Sequence, residues 1–257
     1  MTEAASTASG GTALAVRGLR KTFGALVATD DLDLDVTRNE CHALIGPNGA
    51  GKTTLLAQLS GELAPDRGTV LFGDRDVTRL GPDARARLGI ARSFQITRLV
   101  DDFTAEDNVA LAVQARHATT MRFWRSAFTD PALREPARVA LARVGLADRA
   151  NVRASDLAHG EQRLLELAIA LAQDPAVLLL DEPMAGLGHD ESRAMIELLR
   201  SIKGTVTMLL VEHDMDAVAQ LADRVTVLVA GRAIAAGSYA AVRNDGRVRD
   251  AYLGENG

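Results

Sequence analysis

Cysteine is nearly absent. The single Cys41 in 257 residues rules out an internal disulfide and suits a reducing cytoplasm. It stands in the apolar stretch leading into a glycine-rich loop, where a small buried core residue is expected rather than a reactive thiol. Basic clusters are missing too: 29 Lys and Arg face 34 Asp and Glu, the net charge is −5, and neither end carries a Lys/Arg run. No electrostatic footprint for nucleic acid is present. No apolar run approaches the roughly 20 residues needed to cross a bilayer. A secretory signal is lacking: Met1–Gly11 is small and polar, with neither a basic start nor an apolar centre, and reads as a disordered leader. Any membrane connection has to come through a partner.

The composition is otherwise ordinary for a globular protein, 47% hydrophobic and 25% charged, and the length suits one large domain or a core with a subdomain. Leu14-Ala15-Val16 starts a first strand. Leu32-Asp33-Leu34-Asp35-Val36 alternates apolar and acidic residues, as an antiparallel strand with one wet face does. After Ala43-Leu44-Ile45, a buried strand, and the loop that follows it, a helix runs through Leu59 with Gly61 as its C-cap. Gly68–Gly73 and Ile90–Phe94 read as strands, the second ending at Gln95. From Thr97 to about Asp156 the spacing turns helical, with helices over Asp107–Gln114 and Pro131–Val144. Then follow a helix over Glu161–Leu171, a buried strand Ala176–Leu180, a helix over Glu191–Ser201, a buried strand Val206–Val211, and a hairpin of Val225–Val229 and Arg232–Ala235 at the sheet edge.

The chemistry is concentrated at Gly46-Pro47-Asn48-Gly49-Ala50-Gly51-Lys52-Thr53-Thr54, which fits the phosphate-binding loop pattern between a strand and a helix. Glycines let the chain curl with its N–H groups inward, and the helix start adds partial positive charge. Lys52 would reach the β- and γ-phosphates and Thr53 would offer its hydroxyl to Mg²⁺. Asp181 and Glu182 end an all-apolar strand, at the edge where open α/β sheets place ligands. Asp181 suits the metal shell; Glu182 would orient or deprotonate an attacking water, since triphosphate hydrolysis is mainly positioning and electrostatics. His213 ends a second buried strand, as a donor to the γ-phosphate or as a structural residue. Gln95 would reach Mg²⁺ or the water, or simply close a strand. Phe23, in Lys21-Thr22-Phe23-Gly24, is equally open between core packing and stacking on a purine.

Together these positions resemble the ATP-binding cassette ATPases, over essentially the whole chain after the leader. The decisive segment is Leu157-Ala158-His159-Gly160-Glu161-Gln162-Arg163, standing in the place of the family signature Leu-Ser-Gly-Gly-Gln. The resemblance implies an α/β fold: a P-loop NTPase core with a mixed sheet, an antiparallel β subdomain and an inserted helical subdomain. The core would be 12–95 and 160–257, the insert about 96–159. It implies that Leu157 to Gln162 caps the γ-phosphate bound to another subunit, so that two ATPase chains, the same or related, meet head to tail around two nucleotides. It places Phe23 on adenine, Gln95 in the loop sensing Mg²⁺ and the membrane partner, Met184–Gly188 in the dimer contact, and His213 as the switch histidine. Ala158 departs from the signature serine, and Gly188 from the usual Asp or Asn. His159 replaces the usual aromatic.

The Asp181-Glu182-Pro183-Met184-Ala185-Gly186-Leu187 run, Val211-Glu212-His213-Asp214-Met215 and the tail Ala251–Glu255 are similar to ATPases of branched-chain amino-acid importers. The long insert, with Met121, Phe123, Trp124 and Phe128, is similar to the larger of the two ATPases in such systems. The resemblance implies permease subunits as partners, an extracytoplasmic solute receptor reached only through them, no nucleic acid, and a place on the cytoplasmic face of the cell membrane. A lipid exporter shares the core motifs. A non-transport cassette would carry a coiled coil or second cassette, a regulatory module would lack Glu182 or His213, and a guanine-specific switch would carry Asn-Lys-x-Asp; none of these patterns is present.

Overall fold

The computed structural model describes residues 11–93, 99–116 and 130–253. Gln95 and the cluster of Met121, Phe123, Trp124 and Phe128 lie outside the described residues. The first half of the chain forms β1 (Thr12–Phe23), β2 (Leu26–Thr37), β3 (Cys41–Ile45), α1 (Lys52–Ser60), β4 (Arg67–Phe72), β5 (Arg75–Asp76), α2 (Pro82–Leu88), β6 (Ile90–Arg92) and α3 (Ala105–Arg116). After α4 (Pro131–Arg143) come two short 3₁₀ turns, then α5 (His159–Ala172), β7 (Val177–Asp181), α6 (His189–Ile202), β8 (Thr207–Val211) and α7 (Met215–Leu221). The chain closes with β9 (Arg224–Val229), β10 (Arg232–Gly237), α8 (Tyr239–Arg243) and α9 (Gly246–Leu253).

Two sheets result. One is antiparallel in the order β2-β1-β4-β5; the other runs β10-β9-β3-β8-β7-β6, parallel except for the antiparallel β9–β10 hairpin at its edge. The mixed sheet, the antiparallel sheet and the helical insert all agree with the fold expected from the sequence. Strands β3, β7 and β8 are buried along their whole length, which is why they read as unbroken apolar runs. Period-two alternation sends Leu178, Leu180, Met208 and Leu210 into one apolar cluster, shared with α5 and the insert helices. Val177, Leu179, Leu209 and Val211 join a second cluster with Leu55, Leu56 and Leu59 of α1 and Leu14, Val16 and Leu34 of the antiparallel sheet. Helix α1 is thereby held by residues of both sheets, and the loop at its start is fixed with it.

The far end of α1 is anchored as well. Arg85 of α2 is buried, and its guanidinium donates to the carbonyl oxygens of Gln58 (2.6 Å) and Leu59 (2.8 Å). A cation there meets the negative end of the helix dipole and its unpaired carbonyls. Cys41 is buried at the start of β3, and burial pushes its thiol up to about 12, which fits a core residue. Helix α5 begins at His159, two residues before the expected start, because Glu161 caps it: its Oε2 accepts the Ala158 N–H at 3.0 Å.

Candidate functional site

The loop joining β3 to α1 forms one wall of a cavity of about 360 Å³. Gly51 sits at the helix start with φ +100°, where a Cβ would lie 2.1 Å from the Ala28 carbonyl oxygen. Only glycine permits that approach. Gly49, at φ +76°, has no atom within 4 Å of a built Cβ, so its backbone faces open space. Lys52 is buried, and its Nζ curls across the loop to donate to the carbonyl oxygens of Gly46 (2.6 Å) and Pro47 (2.9 Å). Asn48 through Thr54 line the cavity from this side.

Phe23, Leu26 and Ala28 line it from the antiparallel sheet. Phe23 is 49% exposed and Leu26 64% exposed, so neither is core. Two large apolar side chains left bare beside a polar loop give a flat-sided apolar seat for an aromatic base. The segment carrying Phe23 is braced by Asp66, whose carboxylate accepts from Lys21 Nζ (2.8 Å), the Thr22 N–H (2.7 Å) and the Thr22 hydroxyl (2.8 Å). Those bonds, the Lys21 one foremost, hold the Asp66 carboxyl down at about 2. Leu26 and Ala28 were not singled out from the sequence. Their period-two spacing is the signal that places them on one face of β2.

At the end of β7 the two carboxylates part. Asp181 is buried, and its Oδ2 accepts from the Arg92 guanidinium at 2.9 Å. Glu182 takes the left-handed conformation, φ +49°, which costs a non-glycine residue about 1–3 kcal/mol. That turn brings Glu182 to the cavity wall, while its N–H stays bonded to the Val211 carbonyl at 2.9 Å. His213 Nδ1 lies 3.9 Å from Glu182 Oε2. The cavity thus gathers Phe23, the loop residues Asn48 to Thr54 and Glu182; His213 and Asp181 do not line it, His213 standing beside Glu182 and Asp181 lying buried at the end of β7.

A bound magnesium ion has a fitting donor set here. The Asp181 Oδ1 is buried with no hydrogen-bond partner, and Thr53 is among the residues that line the cavity, which Asp181 itself does not line. Hard oxygen donors supplied by one carboxylate and one hydroxyl, completed by phosphate oxygens and water, are what that cation takes.

The segment Leu157 to Gln162 lies elsewhere: none of it lines the cavity. Ala158 and His159 are exposed and Gly160 is buried. Glu161 Oε1 accepts from Arg149 Nε at 2.8 Å, and Gln162 Nε2 donates to the Ala154 carbonyl at 3.0 Å. His159 acquires a neighbour that the sequence did not suggest, since a Cβ on Gly186 would lie 3.1 Å from its Nε2. Gly188 caps the start of α6, its N–H donating to Glu191 Oε2 at 2.9 Å. Sequence reasoning missed Arg92 as the partner of Asp181, and it missed the part played by Glu212, whose carboxylate lies beneath His213.

Comparison with known proteins gives the family of the chain. The ABC transporter family model matches residues 29–185. The chain is 38% identical over 251 residues to the high-affinity branched-chain amino acid transport ATP-binding protein LivG of Escherichia coli K12, covering 94% of this chain and 98% of that one. It is 39% identical over 252 residues to BraF of Pseudomonas aeruginosa, with the same coverage of 94% and 98%. Among solved structures, a nucleotide-free cassette from an ABC transporter superposes with a TM-score of 0.85 at 26% identity, over 94% of this chain and 98% of that one. The ADP conformation of a transporter cassette also gives 0.85, at 27% identity, over 95% and 99%.

Proposed function

Because this chain belongs to the ABC transporter family as one of its ATP-binding cassettes, we propose that it is the ATP-hydrolysing subunit of an importer for branched-chain amino acids or related small polar solutes. The observation that carries the catalytic part is the cavity in which the phosphate-binding loop, the bare Phe23–Leu26 face and Glu182 meet, with His213 3.9 Å from that carboxylate. Similarity to LivG and BraF over nearly the full length of each supports the importer class and the solute class.

The adenine base lies against Phe23 and Leu26. The loop N–H groups and Lys52 hold the phosphates, Lys52 leaving the carbonyls of Gly46 and Pro47 to do so. Thr53 and Asp181, with Gln95, would hold Mg²⁺, which would supply charge neutralisation at the phosphates. Glu182 accepts a proton from, and orients, the attacking water. His213 donates to the γ-phosphate and is kept facing Glu182. The residues from Leu157 to Gln162 present the start of α5 to the nucleotide of a second ATPase subunit in a head-to-tail dimer.

We read the chain as one nucleotide-binding domain, with core 12–95 and 160–257 and a helical insert of about 96–159. Among the described residues no helix is long and apolar enough to cross a membrane. Similarity to LivG and BraF supports placing the subunit at the cytoplasmic face, held by permease subunits and reaching the solute receptor only through them. The test is Glu182→Gln, which keeps the shape of the side chain and removes the base. It should bind ATP, lose turnover by about 10²–10⁴-fold and accumulate as a closed dimer. Turnover equal to the unsubstituted protein would refute the assignment of Glu182.

A further inference from the structure

Glu212 is a buried carboxylate beside the site that the reaction leaves without a task. It directly follows β8 and is 1% exposed. Its Oε1 accepts the Met184 N–H at 3.0 Å, and its Oε2 accepts the N–H groups of His213 at 3.1 Å and Asp214 at 3.4 Å. These two sides belong to different loops. Met184 stands in the turn after Glu182, closed by the Ala185 N–H on the Glu182 carbonyl at 3.0 Å. His213 and Asp214 form the turn after β8.

The strands that carry these turns are neighbours, with Asp181 paired to Val211. One carboxylate therefore ties together the loop of Glu182 and the loop of His213, from beneath. A buried charge is costly to keep, and burial raises the carboxyl of Glu212 above its usual range although three backbone N–H groups pull the other way. A polar group retained at such cost against two reactive loops has a use there.

We propose that Glu212 is a positioning residue for hydrolysis: its carboxylate holds the Glu182 and His213 loops in register, so that the two side chains meet over the γ-phosphate. The role rests on the assignment of Glu182 and His213 given above. A glutamine at 212 has nearly the same shape but only one oxygen. Its NH₂ group must face either the Met184 N–H or the His213 and Asp214 pair, so one loop is released whichever way the amide turns.

The experiment compares Glu212→Gln, Glu182→Gln and His213→Ala in the full chain, by steady-state turnover and nucleotide binding. Displacement of a reacting group by about 1 Å costs roughly 100-fold. Glu212→Gln should therefore lower kcat by about that factor with KM for ATP unchanged, the pattern of a lost transition-state interaction. Undiminished kcat in Glu212→Gln, with Glu182→Gln and His213→Ala inactive, would overturn the role of Glu212 and leave the catalytic assignment standing. Full turnover in all three would overturn both. Hydrogen exchange on the unsubstituted chain provides a readout that needs no variant to fold. The amides of Met184 and His213 should be protected to a similar degree; free exchange at either position overturns the tie.

Discussion

Replacing Arg92 by Met should destabilise the nucleotide-free protein far more than an ordinary surface change. The Arg92 side chain is 8% exposed and that of Asp181 1%. One arm of the guanidinium donates to Asp181 Oδ2 at 2.9 Å, the other to Glu62 Oε2 at 3.0 Å, with the Ser60 hydroxyl at 3.5 Å. The Glu62 side is partly open to water and contributes about 0–1 kcal/mol. The Asp181 side decides the magnitude. Removing one partner of a buried pair leaves the other charge without compensation, at about 3–5 kcal/mol. For a chain of this size that corresponds to a fall in Tm of roughly 6–20 °C. The assay is urea unfolding followed by circular dichroism, without nucleotide or Mg²⁺, as a double-mutant cycle with Asp181→Asn. The double variant carries neither charge and should recover roughly 1–3 kcal/mol relative to Arg92→Met. A loss under about 1 kcal/mol in Arg92→Met, or a double variant no more stable than that single one, would refute the reasoning.

Two further perturbations probe the loop and the base-side wall. Gly51→Ala places a Cβ 2.1 Å from the Ala28 carbonyl oxygen at φ +100°, whereas Gly49→Ala meets no atom within 4 Å at φ +76°. The first should abolish binding of a fluorescent ATP analogue; the second should fold and bind, at a strain cost of about 1–2 kcal/mol. Equal binding by both would contradict the cradle geometry. Asp66, held down at about 2 by Lys21 and Thr22 against an ordinary 3.8, contributes its bracing fully above 3.8 and loses it as pH falls through about 2. Carboxyl NMR should show its titration midpoint near 2, and a midpoint near the ordinary value would mean that the Lys21–Thr22 brace is not formed in solution.

What could be read in the sequence was whatever a few neighbouring residues determine. The phosphate-binding loop is legible because its chemistry is done by backbone at fixed spacing, and β7 and β8 because burial on both faces leaves no polar break. Glu161, three residues after Ala158, carried the earlier start of α5 in plain view. The missed features are pairings across long separations. Nothing near Asp181 in sequence announces Arg92, 89 residues away, and nothing near Glu212 announces Met184, 28 residues away. Phe23 was open on its own residues, because an aromatic before a turn suits a core or a ligand equally; the resemblance turned it toward adenine, and its 49% exposure beside the loop shows that it is not core. His159 had no account at all until the fold set it against Gly186.

That last neighbour bears on where the start of α5 stands relative to the cradle. The start of α5 is exposed at Ala158 and His159, although Gly160 is buried, and a helix start carries unpaired N–H groups and partial positive charge. The polar side chains that follow are already committed: Glu161 to its own helix start and Arg149, Gln162 to the Ala154 carbonyl. Meanwhile the cavity that holds the phosphate-binding loop takes no residue from this segment. The helix start and the phosphate cradle therefore do not line one cavity within the chain. Under the proposed function they serve two, each cradle closed by the α5 of the other subunit. Ala158 offers no hydroxyl to that closure, which leaves the backbone N–H groups of the helix start to meet the phosphate. His159 also stands close to Gly186, where an added Cβ would lie 3.1 Å from its Nε2, so the start of α5 is a neighbour of the loop that follows Glu182.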